Sequence, residues 1–162
     1  MDIFAFRHDR IFASHVTAAI AGIAAVMCSA ALASSYEVSG TMRETFIQFA
    51  GDGQKILAVS ASNTFMGDLE GEGTLHIFGG DIVDPLVPTV ENVKSTRRIR
   101  TKDGNLTLDE IGRRHGDDVE VHSTVSGGTG RYKGATGEIT FIGVHDSTGV
   151  DFTYSGVITT PN

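Results

Sequence analysis

Residues 125–137 read Val-Ser-Gly-Gly-Thr-Gly-Arg-Tyr-Lys-Gly-Ala-Thr-Gly, and they give the clearest indication of the fold. It begins as the end of a strand, makes a tight glycine turn, presents one aromatic side chain at Tyr132, and turns again at glycine. Glycine tolerates positive φ and lets two backbones approach closely, so both turns are sharp. The stretch leads directly into residues 138–144, which have the pattern of a strand. We therefore predict two turns between neighbouring strands, with Tyr132 placed to plug the end of a barrel.

A glycine-rich phosphate loop is the competing interpretation of this stretch. Such a loop needs a helix after the glycines, because the N-terminal amides of that helix bind the phosphate. Here a pattern of period two follows the glycines, and no Gly-Lys-Ser/Thr sequence is present. The phosphate interpretation is therefore rejected.

Apolar and polar residues alternate with a period of two through most of the chain after Ser34. In residues 118–126, three valines share one phase and polar side chains occupy the other, which places the two kinds of side chain on opposite faces of a sheet. The strands predicted in this way cover residues 36–46, 56–60, 65–69, 74–78, 95–101, 105–111, 118–126, 138–144 and 150–158. Residues 84–91, with Pro85 and Pro88, form the longest segment predicted as a loop or an edge. Eight or nine short strands predict an all-β domain, a single closed antiparallel β-barrel of about eight strands, with a sandwich as the alternative.

The first 33 residues have the pattern of a cleaved secretory signal. Two arginines precede a long apolar stretch without Lys, Arg, Asp or Glu, and this stretch ends in the small-x-small sequence Ala31-Leu32-Ala33. A transmembrane anchor is the alternative, but the stretch is rich in alanine and stands directly before a cleavage pattern. We therefore predict a signal peptide at residues 1–33, a single domain at residues 34–162, and export to the periplasm or the extracellular medium.

The charge of the chain argues against two classes of partner. The net charge is −7, and cleavage leaves it unchanged because the predicted signal carries two charges of each sign. Nucleic acids and anionic membranes both require a basic surface, so we predict no nucleic acid partner and no membrane partner after signal cleavage. The single cysteine, Cys28, lies within the predicted signal. The exported domain is therefore stabilised by its core and its hydrogen-bonded strands rather than by disulfides.

Residues 125–137 resemble the signature of the allene oxide cyclase and dirigent β-barrel superfamily. In that signature a GGTG or GGSG turn is followed by an aromatic residue and then by Gly-Ala-x-Gly entering a strand. Residues 149–157 resemble the last strand of the same family, and residues 67–73 resemble a turn of its small bacterial relatives. The matching segments cover about a quarter of the predicted exported domain.

The resemblance implies a barrel with an apolar interior that binds a small apolar molecule and is often a homo-oligomer. It also implies that no metal and no organic cofactor takes part. Allene oxide cyclase closes a reactive fatty-acid epoxide to one stereoisomer, and dirigent proteins steer the coupling of radicals. Both activities rest on orientation in a dry pocket. The polar residues that those enzymes use lie mainly outside the matching segments, so no catalytic residue is carried over to this chain.

Three polar residues share the apolar phase of their strands: Glu44, Glu110 and Tyr154. If the apolar phase faces inward, these side chains lie inside the barrel or at its rim. A buried carboxyl has a raised pKa and can act as an acid or a base, and a tyrosine can donate a hydrogen bond. The alternative is that the two glutamates lie in solvent at the mouth and that Tyr154 belongs to the core. We predict the three as ligand-binding candidates and leave the catalytic residues unassigned.

Other charged groups lack the pattern of a site. The histidines after residue 33 form no His-x-His or His-Glu-x-x-His sequence, so no metal site is predicted. His122 and Glu120 lie on a polar strand face and are predicted as solvated surface. The basic run Arg97-Arg98-Ile99-Arg100 is predicted as a solvated strand or a contact between subunits.

These observations lead to one functional hypothesis and one alternative. The hypothesis is an exported barrel that binds a small apolar molecule in its interior and directs a cofactor-free cyclisation or isomerisation. The alternative is a non-enzymatic carrier or a structural barrel with a filled core. A cavity reached by Glu44 or Glu110 favours the first, whereas a second set of residues would favour the alternative by plugging the core: Phe46, Phe141, Phe152 and Tyr154.

Overall fold

The computed structural model of the protein describes residues 33–51 and 55–161. Apart from its last residue, the predicted signal peptide lies outside these ranges. Eight strands fill the described residues: β1 Ser34–Gly51, β2 Lys55–Gly67, β3 Gly71–Asp84, β4 Thr89–Thr101, β5 Gly104–His115, β6 Asp118–Gly128, β7 Thr136–His145 and β8 Gly149–Thr160. One short 3₁₀ turn, η1 Gly130–Tyr132, lies between β6 and β7. In the described ranges no helix has the length and apolar character needed to cross a bilayer.

The eight strands close into a barrel in sequence order. Each strand pairs antiparallel with the next, and β8 pairs antiparallel with β1, with Ser34 opposite Thr160 and Thr45 opposite Gly149. The predicted all-β fold, a single closed antiparallel barrel of about eight strands, is confirmed. Closure removes the unpaired strand edges that would otherwise recruit other chains.

Two predicted strands, residues 56–60 and 65–69, form a single strand in the structure. β2 pairs with β1 continuously through Ser62, Asn63 and Thr64. The prediction of two strands was wrong because these three polar residues interrupt the apolar pattern, although the Asn63 side chain points inward and is buried. Residues 68–70 form the turn to β3.

The loop predicted at residues 84–91 is also shorter in the structure. β3 continues to Asp84 and β4 begins at Thr89, which leaves a turn between them. The Oδ1 atom of Asp84 accepts the backbone N–H of Leu86 at 2.8 Å, which fixes the turn. The second proline, Pro88, offers its carbonyl to the N–H of Gly116 at 3.1 Å, so the turn is tied to the neighbouring β5–β6 turn.

Aromatic side chains fill one half of the barrel interior. The rings of Phe65, Phe141 and Tyr154 pack together with centroids 5.8–6.3 Å apart. Tyr132, on η1, is only 2% exposed and joins this core at the end of the barrel, as predicted. Glycine is required beside it, because a Cβ on Gly128 would lie 2.6 Å from the Cβ of Tyr132. We call this half of the interior the aromatic plug.

Candidate functional site

The other half of the barrel contains a cavity of about 580 Å³. Its walls are apolar because alternate residues of the strands project inward, and they include Ile56, Val59, Leu75, Val93, Val121 and Val150. A volume of this size fits one small molecule. Pro85 and Pro88, both exposed on the β3–β4 turn, line its mouth, so the cavity opens at the end opposite the aromatic plug.

A charged cluster forms the floor of the cavity. Arg97 of β4 is 1% exposed and lies between Glu110 of β5 and Glu44 of β1, both of which line the cavity. Its Nε lies 2.7 Å from Oε1 of Glu110, and its Nη1 lies 3.0 Å from Oε2 of Glu44. The guanidinium carbon stands 5.0 Å from the centre of the Phe141 ring, so the cluster rests on the aromatic plug. We call these three residues the Arg97 cluster.

Glu110 is fully engaged in holding Arg97. Its Oε1 accepts hydrogen bonds from Nε of Arg97 at 2.7 Å and from Oγ of Ser123 at 3.2 Å. Its Oε2 accepts hydrogen bonds from Nη2 of Arg97 at 3.3 Å and from Oγ of Ser95 at 2.9 Å. All four hydrogen bonds are accepted by the carboxyl oxygens, and the two from one guanidinium fix the orientation of the carboxyl group. Glu110 is therefore a structural partner of Arg97.

Glu44 is held at one oxygen only. Its Oε2 accepts hydrogen bonds from Nη1 of Arg97 at 3.0 Å and from Nδ2 of Asn63 at 3.1 Å. No hydrogen bond from the described residues reaches its Oε1. Burial raises the pKa of Glu44, the Arg97 charge lowers it in part, and the nearby Glu110 carboxylate raises it further. One positive charge faces two buried carboxyls, and Glu110 accepts four hydrogen bonds whereas Glu44 accepts two, so Glu44 is the carboxyl of the cluster that takes up a proton more readily.

Arg97 has little capacity left for a ligand. Four of its five N–H groups donate within the barrel: one from Nε, two from Nη1 and one from Nη2. The second Nη1 bond goes to the sulfur of Met42 at 3.0 Å. A ligand carboxylate therefore cannot form the paired hydrogen bonds with Arg97 that normally repay its loss of water.

The three sequence candidates occupy different places. Glu44 and Glu110 face the interior and are 3% and 4% exposed, so they do not lie in solvent at the mouth. Tyr154 belongs to the aromatic plug and does not line the cavity. Its hydroxyl accepts the N–H of Leu69 at 2.9 Å and donates to the carbonyl of Met66 at 3.2 Å. A ligand-binding role stays a prediction for Glu44, Glu110 and Tyr154.

Sequence reasoning missed Arg97. The run from Arg97 to Arg100 was predicted as a solvated strand or a subunit contact, but only Arg98 and Arg100 are exposed. Arg97 shares the inward phase with Ser95 and Ile99. The prediction was wrong for Arg97 because an isolated buried arginine is rare and a run of arginines is normally solvated. The alternation of faces along a strand could have identified Arg97, because it places Arg97 and Arg98 on opposite faces of the sheet.

A histidine, His145 of β7, lines the mouth of the cavity. Its ring stacks on the ring of Phe46, with centroids 5.6 Å apart and planes inclined by 30°. Both residues line the cavity. Partial burial and the positive charge of Arg114 lower the pKa of His145 below its usual 6.5, so the ring is neutral at pH 7. Within the part of the chain that the structure describes, no group of three or more His, Cys, Asp or Glu residues is arranged to hold a metal ion.

Fold and site together define a closed eight-stranded barrel with an aromatic plug in one half and an apolar cavity in the other. No protein-family model matches the chain, and no curated protein matches it. Among solved structures the chain is similar to pyocyanin demethylase, with a TM-score of 0.51 and 19% sequence identity. The similarity covers 76% of this chain and 100% of that one. At this identity it shows a shared barrel fold.

The raised pKa of Glu44 predicts how the stability of the protein depends on pH. The folded pKa lies above the ordinary value of 4.5, so the folded protein binds more protons than the unfolded chain and loses stability as the pH rises between the two values. In Glu44→Gln, an amide can accept the same two hydrogen bonds without this loss. We expect the stability of the variant relative to the wild type to increase as the pH rises above 4.5, measured by urea unfolding at a series of pH values. A constant difference across these pH values would contradict the raised pKa.

Proposed function

We propose that this protein is an exported member of the allene oxide cyclase-like barrels that binds one small, largely apolar molecule in its cavity and directs a cofactor-free cyclisation or isomerisation. The observation that carries the proposal is the under-bonded carboxyl of Glu44 at the floor of a largely apolar cavity. Apolar walls select the body of the ligand, and the carboxyl orients one polar group of it.

The arrangement suits a reaction in which negative charge develops on a ligand oxygen. A protonated Glu44 can donate a hydrogen bond from its Oε1 side, where no described residue competes. The carboxyl is held in place by Arg97 and Asn63, so little reorganisation is needed when the charge develops. The apolar walls exclude water, which strengthens this interaction and keeps the ligand in one orientation.

The structural neighbour supports the proposal at the level of fold and small-molecule chemistry. By its name, pyocyanin demethylase acts on pyocyanin. We therefore include pyocyanin among the compounds to test for binding, beside simple aromatic ketones.

A non-enzymatic carrier or structural barrel is the second candidate function. The aromatic plug favours it, because Phe141 and Tyr154 fill half of the interior. Phe46 does not take part in this filling, since it is 37% exposed and lines the open half. The remaining cavity favours ligand binding over a purely structural role, and measured catalysis separates an enzyme from a carrier.

A matched pair of ligands tests the cavity. We expect 1-acetylnaphthalene, a neutral ketone, to bind about ten-fold more tightly than 1-naphthoate. A carboxylate that enters the cavity would lose its hydrating water without gaining paired hydrogen bonds from Arg97. Isothermal titration calorimetry measures both Kd values. Val121→Phe, which fills the cavity, is expected to abolish ketone binding, whereas Ile142→Phe on the exposed outer face of β7 leaves it unchanged. Equal affinity for the two ligands, or full binding by Val121→Phe, would contradict the proposal.

A further inference from the structure

His145 and Glu44 face the same cavity from one row of the barrel. Val150 of β8 pairs with His145 of β7 on one side and with Glu44 of β1 on the other. Directly paired residues project to the same face of a sheet, and all three line the cavity. Two strand spacings separate His145 from Glu44, which is about 10 Å between their Cα atoms. Both side chains line the same cavity, so one small molecule that spans this separation can touch both.

The surroundings of His145 suit a proton acceptor. Four ionisable groups act on its ring: Arg114 of β5, Asp117 of the β5–β6 turn, Asp146 of the β7–β8 turn and Arg43 of β1. Burial and Arg114 have the largest effects, and both lower the pKa of His145. The backbone is fixed by a 2.7 Å hydrogen bond from the N–H of His145 to the carbonyl of Asp117. Stacking on Phe46 restricts the ring plane.

We propose that the cavity catalyses proton transfer in a neutral ketone or enone, with His145 as the base and Glu44 as the acid. This inference rests on the function proposed above and names its reaction and substrate class. The two groups are complementary, because a neutral imidazole accepts a proton while a protonated carboxyl donates one. The apolar walls, and a floor at which Arg97 has no pair of N–H groups left, select a neutral carbonyl compound over a carboxylate. Two further arginines line the cavity, and both already have acidic partners: Arg113 pairs with Glu120, and Arg114 pairs with Asp117.

The step balances without any further reagent. His145 removes a proton from a carbon next to, or conjugated with, the carbonyl, and the C–H electron pair forms a new C=C bond. The carbonyl π pair moves to oxygen, which takes the proton of Glu44 and becomes an enol. Glu44 then recovers the enol proton, and protonated His145 returns its proton to the same or another carbon. The result is hydrogen exchange or an isomer, with no net oxidation.

Deuterium exchange tests the proposal. The probe is 1-acetylnaphthalene, whose methyl protons lie next to the carbonyl, and NMR in D₂O measures their replacement. We expect the wild-type protein to accelerate exchange above the rate with free imidazole at the same concentration. We expect His145→Gln and Glu44→Gln each to lower the protein-catalysed rate about 100-fold. His122→Gln, on the exposed outer face of β6, serves as the matched control and keeps the wild-type rate.

Calorimetry of the same samples separates this inference from the proposed function. Retention of 1-acetylnaphthalene binding by His145→Gln, together with loss of exchange, supports the proton-transfer role and shows that the variant is folded. Binding by the wild type without accelerated exchange overturns the proton-transfer role and leaves ligand binding intact. A His145→Gln rate equal to that of the wild type overturns it as well. Failure of the wild type to bind the ketone overturns the proposed function and this inference with it.

Discussion

Replacement of Arg97 by methionine is expected to lower the free energy of unfolding at pH 7 by about 3–5 kcal/mol. The arginine is 1% exposed and is the charged partner of both Glu44 and Glu110. Without it, two buried carboxyls are left with no cation, and the cost of burying a negative charge on either of them at pH 7 is no longer repaid. Urea unfolding followed by circular dichroism measures the loss.

Arg98→Met is the matched control, because Arg98 is the next residue along β4 and points into solvent. Its effect is expected to stay within about 0.5 kcal/mol. The loss in Arg97→Met has a further signature, because the Arg97 charge lowers the pKa of Glu44 and its removal raises that pKa further. Folded groups with raised pKa values stabilise the protein below their unfolded pKa values and lose that contribution as the pH rises. The loss should therefore shrink towards acid pH. A loss as small as that in Arg98→Met, or one independent of pH, would contradict the role given to Arg97.

The barrel could be predicted from the sequence because its local signals agree with each other. Period two in β6 and β8, the glycine turns around Tyr132, and the short connections all indicate antiparallel neighbours. Errors arose where polar residues point inward. Asn63 interrupts the pattern of β2, yet its side chain is buried because it donates to Glu44.

The Arg97 cluster could be predicted only in part, because phase does not show which residues meet across the interior. Period two placed Glu44 and Glu110 on the inward face, as the structure has them. Glu44 and Arg97 lie 53 residues apart and on strands that do not pair, and only closure of the barrel brings them together. A carboxyl without a visible partner is expected at a rim, and an arginine among arginines is expected in solvent. Each expectation fails because Arg97 and Glu44 form a hydrogen bond with each other inside the barrel, which offsets part of the cost of burying them.

The division of the interior into two halves could not be predicted either. An apolar inward phase describes a filled core and an empty cavity equally well, since both need apolar side chains. The difference lies in the size of the inward side chains. The aromatic rings of Phe65, Phe141 and Tyr154 meet at one level of the barrel. Smaller side chains, such as those of Val121 and Val93, surround the cavity at the other level. Which inward residues share a level depends on strand register and on the tilt of the strands, which the sequence pattern does not specify.

Phe141→Ala is expected to lower the free energy of unfolding by about 3–5 kcal/mol. Phe141 is fully buried and lies between the plug and the cavity, with its ring 6.3 Å from that of Phe65 and 6.0 Å from that of Phe152. Truncation removes these contacts and leaves a cavity that the rigid strands cannot collapse to fill. It also removes the ring beneath Arg97, so the floor of the ligand cavity is lost with the packing. Urea unfolding measures the first effect, and titration with 1-acetylnaphthalene measures the second.

Phe78→Ala is the matched control for this prediction. Phe78 is 61% exposed on β3, so the same substitution removes a ring that is already largely in water and should cost less than about 1 kcal/mol. The contrast matters because it tests whether the plug carries the stability of a barrel without disulfides. If Phe141→Ala costs no more than Phe78→Ala, the plug is loosely packed, and the rigid floor required for orienting a ligand on Glu44 is absent. A large loss limited to Phe141→Ala, with ketone binding weakened in parallel, shows that the plug supports both the fold and the site.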